Sequence, residues 1–243
     1  MTGGTGMEIS ELDLPAGVLT RPLADGAALA EELAGRVAEV LRQAIDSDGR
    51  ASLLVSGGRS PVPFFEALSA RELDWSRVQV GLVDERWVAP DQDGSNEALV
   101  RRHLLRGPAA AARFFGLYQP AASLEEAARL AGRSLAELKR PVDAVVLGMG
   151  EDGHTASLFP GSPNLAQALA GTGAEPCMAM HAPVAPHPRI SLTWPLLARA
   201  RLRCLAIQGP AKLETLRQAL RADPLRMPIR AFLGDGLEIY WSP

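Results

Sequence analysis

Apolar residues in this chain fall into two alternating patterns. Short, mainly apolar runs occur at Ala51–Val55, Val78–Val83, Val142–Leu147 (interrupted by Asp143 alone), Leu202–Ile207 and Leu237–Trp241. Runs of that length without polar alternation predict parallel strands buried on both faces. Between them apolar positions recur at helical spacing: Leu29, Leu33, Val37, Val40, Leu41, Ala44 and Ile45 mark one face of a helix that Asp25 opens and Asp46–Gly49 ends. Pro61 starts a second helix, where its missing N–H costs nothing. Further helices are predicted over Ser95–Leu105, Ser123–Lys139 (Ser123 and Glu126 spaced as a capping box) and Pro210–Leu220. Glu8–Leu12 is predicted as a short edge strand, Asp93–Gly94 as a turn, and Gly161–His187 as loops around one strand near Cys177–His181. Residues 1–7 read as a flexible glycine-rich lead-in and 8–243 as one domain. Strands alternating with helices throughout predict an α/β fold, a largely parallel sheet with helices on both faces.

The central run empties into GMGEDGHTASLFPGSP (Gly148–Pro163). Gly148, Gly150 and Gly153 remove side chains at the strand's carboxyl end, where open α/β sheets bind ligands. Into that gap come Glu151, Asp152, His154, Thr155 and Ser157. Imidazole titrates near neutrality, so a histidine beside carboxylates there is a candidate for acid/base work. The alternative is a polar loop whose histidine bonds only to backbone.

Four other segments carry candidate chemistry. In SGGRSP, Ser56, Gly57 and Gly58 let a tight loop aim N–H groups outward at a helix start, an anion site to which Arg59 adds a fork of donors. An ordinary strand–helix turn has the same look, and the segment matches neither GxGxxG nor GxxxxGK[ST]. Asp84, Glu85 and Arg86 follow the third run; alternation lets at most two of them face a pocket, and a solvated loop is the alternative. Arg189 stands in an extended segment held by Pro186 and Pro188. Lys212 lies in the first turn of a helix, where it opposes the macrodipole unless an anion sits there.

Composition narrows the class. An apolar share of 47% with 22% charged residues is ordinary for a globular protein. A net charge of -3 gives no support to nucleic-acid or anionic-membrane binding. No apolar stretch approaches the ~20 residues of a membrane span, and MTGGTGMEIS lacks the features of a secretory signal. A cytoplasmic location is expected. His103, His181 and His187 show no metal-ligand spacing, and Cys177 and Cys204 form no CxxC. The cysteines allow one disulfide, a pair of intracellular thiols being simpler.

In combination, LVSGGRSP (Leu54–Pro61), VDERWV (Val83–Val88), SNEALVRRHLL (Ser95–Leu105), LGMGEDGHTASLFPGSP (Leu147–Pro163), PRISLTWPLL (Pro188–Leu197) and GPAKLETL (Gly209–Leu216) resemble the 6-phosphogluconolactonase family. Ser60 stands where family members commonly carry threonine. The resemblance implies a modified Rossmann-like fold shared with the amino-sugar-phosphate isomerases. It also implies hydrolysis of 6-phospho-D-glucono-1,5-lactone, the second step of the oxidative pentose phosphate pathway, with no metal or other cofactor and with a sugar phosphate lactone as the only partner of a monomer or small homo-oligomer. Ser56, Gly57, Gly58, Arg59, Arg189 and Lys212 would hold the phosphate. His154 would be the general base, Asp152 would orient it or favour its imidazolium, and Arg86 with loop N–H groups would stabilise the oxyanion. Asp84, Glu85 and Gly150 would complete the binding site. Ser157 lacks the GxSxG elbow of a serine hydrolase. Two rivals remain: a glucosamine 6-phosphate isomerase, whose loop carries a glutamate shortly after the histidine, and a non-catalytic sugar-phosphate sensor.

Overall fold

The computed structural model describes residues 8–173, 175–183 and 187–243; the predicted lead-in and Pro186 lie outside the described residues. Ten strands follow in chain order: β1 (Leu19–Pro22), β2 (Ala51–Val55), β3 (Val78–Leu82), β4 (Asp84–Arg86), β5 (Arg113–Phe115), β6 (Ala144–Leu147), β7 (Cys177–Met180), β8 (Arg189–Leu192), β9 (Leu202–Gln208) and β10 (Leu237–Ser242). The helices are α1 (Gly26–Asp48), α2 (Val62–Ser69), α3 (Asn96–His103), α4 (Leu124–Ser134), α5 (Leu165–Leu169), α6 (Trp194–Ala198) and α7 (Pro210–Ala219).

Seven strands form one sheet in the order β1-β10-β9-β6-β2-β3-β5, and every pairing in it is parallel. Every residue of β2, β3 and β6 is buried, as mainly apolar runs require, the polar Ser52 and Gln79 included. The long apolar stripe of α1 packs across β2, β6, β9 and β10. Asp25 caps this helix by accepting from the Ala28 N–H at 2.8 Å, and Gly49 ends it at φ 75°. A second, antiparallel sheet, β4-β8-β7, joins the main one at Val83, whose carbonyl accepts from the Leu192 N–H. The chain is a single α/β domain.

Three elements differ from the sequence expectation. Ile9–Glu11 is a 3-10 turn with Ile9 buried, not an edge strand: a single apolar plug gives no alternating face to pair. The edge belongs to β1, whose exposed pattern hides it from a hydrophobicity reading. The helix predicted to Lys139 stops at Ser134 and tightens into a 3-10 turn, Leu135–Glu137, which aims Lys139 inward; the reciprocal bond of Glu126 goes to the Ala122 N–H. Finally, Asp84–Arg86 is not a loop but a strand with Asp84 and Glu85 buried.

The amino ends of the strands carry a buried ionic cluster. Asp143, fully buried, accepts from Lys139 Nζ at 2.5 Å, from Arg201 Nη1 at 3.2 Å and from the Ser52 N–H at 2.8 Å. Lys139 also reaches Asp48 at 2.8 Å. The polar interruption of the central apolar run is thus the hub of a network on the face opposite the glycine loop.

Both cysteines are free and buried. Burial pushes the Cys177 thiol up to about 12 and raises Cys204 as well. Neither is expected to react with iodoacetamide in the folded protein at pH 8, and both should react in guanidinium. Rapid native labelling, read by mass spectrometry, would contradict the burial of β7 and β9.

Candidate active site

The order of the strands makes the crevice. From β2 the chain steps outward to β3 and β5, then returns to the other flank of β2 as β6 and continues to β9 and β10. The loops leaving β2 and β6 therefore diverge, and ligands of open α/β sheets lodge at such a switch point. A cleft of about 270 Å³ opens there. Its walls include Ser56, Gly57, Gly58, Asp84, Arg86, Gly150, His154 and Lys212, which come from four different strand exits.

His154 is held rather than free. Its Nδ1 lies 2.5 Å from Asp152 Oδ1, which also accepts the His154 backbone N–H at 3.1 Å. A carboxylate only accepts, so Nδ1–H donates to it, and in the neutral imidazole the lone pair is then on Nε2. Burial pulls the Asp152 carboxyl up, but hydrogen bonds from His154 outweigh it and hold the group below the ordinary carboxylate value. The imidazole also stacks on Phe159, with ring centres 4.5 Å apart. Gly150 makes this packing possible, because a Cβ there would collide with the His154 ring and the Asp152 carboxylate. Asp152 thus supports the cleft from behind His154 instead of lining it.

Alternation along β4 divides its three ionised residues. Asp84 and Arg86 face the cleft. Glu85 turns away and is fully buried; it caps α3 by accepting from the Asn96 N–H at 2.7 Å, the Glu97 N–H at 2.8 Å and Ser95 Oγ at 3.1 Å. Burial raises its carboxyl pKa, against the pull of these N–H donors.

Arg189 is the direct ladder partner of Arg86 in the β4–β8 pair. Opposed residues share a face, so two guanidiniums stand side by side, an arrangement that is unfavourable without an anion. Burial first, and Arg86 second, depress the Arg189 guanidinium, with Asp84 and Glu85 acting in the opposite sense. Arg189 is outside the cleft lining; it donates to the His187 carbonyl at 2.7 Å and its guanidinium stands 5.9 Å from the centre of the Phe159 ring. Arg59 is exposed on its loop, outside the lining. Lys212 lines the cleft at the start of α7 and has no carboxylate partner among the described residues, whereas Lys139 is consumed by Asp48 and Asp143. Among the described residues no three His, Cys, Asp or Glu side chains converge as a metal-ligand group.

A family model described as glucosamine-6-phosphate isomerases/6-phosphogluconolactonase matches residues 24–241. The chain belongs to this family. The 6-phosphogluconolactonase of Pseudomonas aeruginosa is 57% identical over 238 residues, covering 98% of this chain and 100% of that protein. That of Pseudomonas putida is 54% identical over 242 residues, covering 99% and 100%. The crystal structure of a 6-phosphogluconolactonase from Shewanella baltica has a TM-score of 0.90 at 42% identity, covering 95% and 100%. A monomeric glucosamine-6-phosphate deaminase shares the fold, with a TM-score of 0.75 at 17% identity.

Two polar residues of the cleft, Asn96 and Gln208, carry no chemical signal in the sequence. Asn96 follows a helix-capping serine and reads as an ordinary first-turn residue. Gln208 ends a strand, where a polar residue is unremarked. Thr155, also in the lining, pins the loop: its hydroxyl donates to the Gly148 carbonyl at 2.8 Å. Ser157 is buried and donates to Asp84 Oδ2 at 2.5 Å.

Proposed function

We propose that the protein hydrolyses 6-phospho-D-glucono-1,5-lactone to 6-phosphogluconate, as the second step of the oxidative pentose phosphate pathway, in the cytoplasm. The observation that carries this reading is His154, oriented by Asp152 through Nδ1, in a cleft whose cations Arg86 and Lys212 have no carboxylate partner among the described residues. Such a base activates water; the cations receive a phosphate and a developing oxyanion.

The N–H groups of Gly57 and Gly58, the Ser56 hydroxyl, the start of α2 and Lys212 bind the phosphate, the Ser56 N–H being given to the Val146 carbonyl at 3.0 Å, with Arg59 at the rim and Arg189 reinforcing the positive field. His154 Nε2 takes a proton from water as the water oxygen bonds to the lactone carbonyl carbon. Arg86 stabilises the resulting oxyanion. The tetrahedral centre collapses, the bond from carbon to ring oxygen breaks, and the imidazolium returns its proton to that oxygen. The product acid then ionises. The lactone is an activated ester, so no covalent nucleophile is required and the residues named carry every proton without a metal.

Against the isomerase reading, the residues after His154 are apolar where that chemistry needs a second proton carrier: Leu158 is fully buried and Phe159 packs on the imidazole. The deciding experiment generates the lactone in situ and follows its loss with and without the protein, in a metal chelator. Acceleration that persists supports the reading. Binding of sugar phosphates with no acceleration would leave the sensor, and turnover of glucosamine 6-phosphate would favour the isomerase.

Lys212→Ala is expected to raise KM about 10–100-fold, the cost of a charge-assisted hydrogen bond, with a smaller change in kcat. An unchanged KM would place the phosphate elsewhere.

A further inference from the structure

Asn96 is a cleft residue with only 2% of its surface exposed, so its amide is fixed by the fold. Its Nδ2 donates to the Asp84 backbone carbonyl at 2.9 Å. A carbonyl only accepts, which settles the orientation of the amide and leaves Oδ1 as the atom able to accept a further hydrogen bond. Gly57 presses on this group so closely that any Cβ would overlap the amide. The glycine of the anion loop is therefore required by Asn96 as well as by the turn. The backbone N–H of Asn96 is held by Glu85, and α3 is held in turn by its Ser95 cap.

Asp84 is arranged in the same way. Ser157 Oγ donates to Oδ2 at 2.5 Å, and Oδ1 has no donor among the described residues. Asp84 and Asn96 therefore each bring an acceptor oxygen to the cleft wall, with Arg86 as the neighbouring donor on β4. A phosphate would be repelled there by the Asp84 carboxylate; an O–H group would be received.

We propose that Asn96 is a specificity-determining residue: its Oδ1, on the cleft wall that Asp84 also lines, accepts a hydrogen bond from one ring hydroxyl of the sugar lactone. This rests on the lactonase reading and names which part of the substrate the β3–α3 side of the cleft recognises. A hydroxyl missing at that ring carbon leaves a buried acceptor unpaired, which is where polar sites discriminate most strongly.

The test compares kcat/KM of wild type, Asn96→Ala and Asn96→Ser on the natural lactone and on its 2-, 3- and 4-deoxy analogues. The expected result is a loss of about 10–100-fold for Asn96→Ala on the natural lactone, shrinking to under about threefold on the one analogue that lacks the recognised hydroxyl. A penalty equal on all four substrates means that Asn96 only braces the loop, and overturns the proposal. Should thermal melting show Asn96→Ala unfolded, the serine variant, small enough to stand beside Gly57, decides by the same comparison. Wild type that fails to accelerate loss of the natural lactone overturns the lactonase reading and this inference with it; turnover with a uniform penalty overturns the inference alone.

Discussion

His154→Ala lowers kcat for lactone hydrolysis by about 10²–10⁴-fold, the usual contribution of a positioned general base. Binding of 6-phosphogluconate stays close to wild type, because the anion-binding groups come from the β2 and β9 exits and not from the histidine loop. The residual rate reflects the oxyanion and phosphate contacts together with the spontaneous hydrolysis of an activated ester. Stopped-flow or coupled assay of in-situ lactone measures the first quantity and isothermal calorimetry the second. Full activity in the variant would remove His154 from the mechanism; lost binding would show that the imidazole packed on Phe159 braces the cleft instead of acting on water.

Asp143→Ala costs roughly 3–5 kcal/mol of folding stability, because it leaves Lys139 charged and buried without its nearest partner. For a domain of this size that is a fall in Tm of roughly 10 °C. Lys139 retains Asp48 at 2.8 Å, which keeps the loss from being larger. The cluster sits at the amino ends of β2 and β6, so kcat measured below the transition should not change. Thermal melts followed by circular dichroism test the first point. A Tm shift of only a degree or two would mean that water reaches Lys139 once the carboxylate is gone.

Much of the molecule was legible before any coordinates. The runs at Ala51–Val55, Val78–Val83 and Val142–Leu147 became β2, β3 and β6 within a residue or two, because strands buried on both faces admit almost no polar residue. Glycine spacing after β6 pointed to the loop that holds His154, and Gly150 has the steric reason for being glycine. Strand β1, exposed on nearly every residue, and β5, only three residues long, gave no such signal. Their places come from backbone pairing with a neighbour, which one-dimensional hydrophobicity does not record.

The division of labour among polar residues was a tertiary decision. Sequence puts Asp84, Glu85 and Arg86 side by side, and only the β4–β8 ladder decides that two face the cleft while Glu85 spends its carboxylate on the start of α3. Sequence shows Arg189 among many arginines; the register sets it against Arg86. It shows Ser157 as a hydroxyl in a motif, and only packing makes it the donor to Asp84. The sequence by itself determined the α/β class, the buried strands and the histidine loop, because those depend on local periodicity and on residues with few conformational alternatives. Which charges meet depends on contacts between distant segments, such as Asn96 with Asp84 and Gly57, that exist only once the chain has returned across its own sheet.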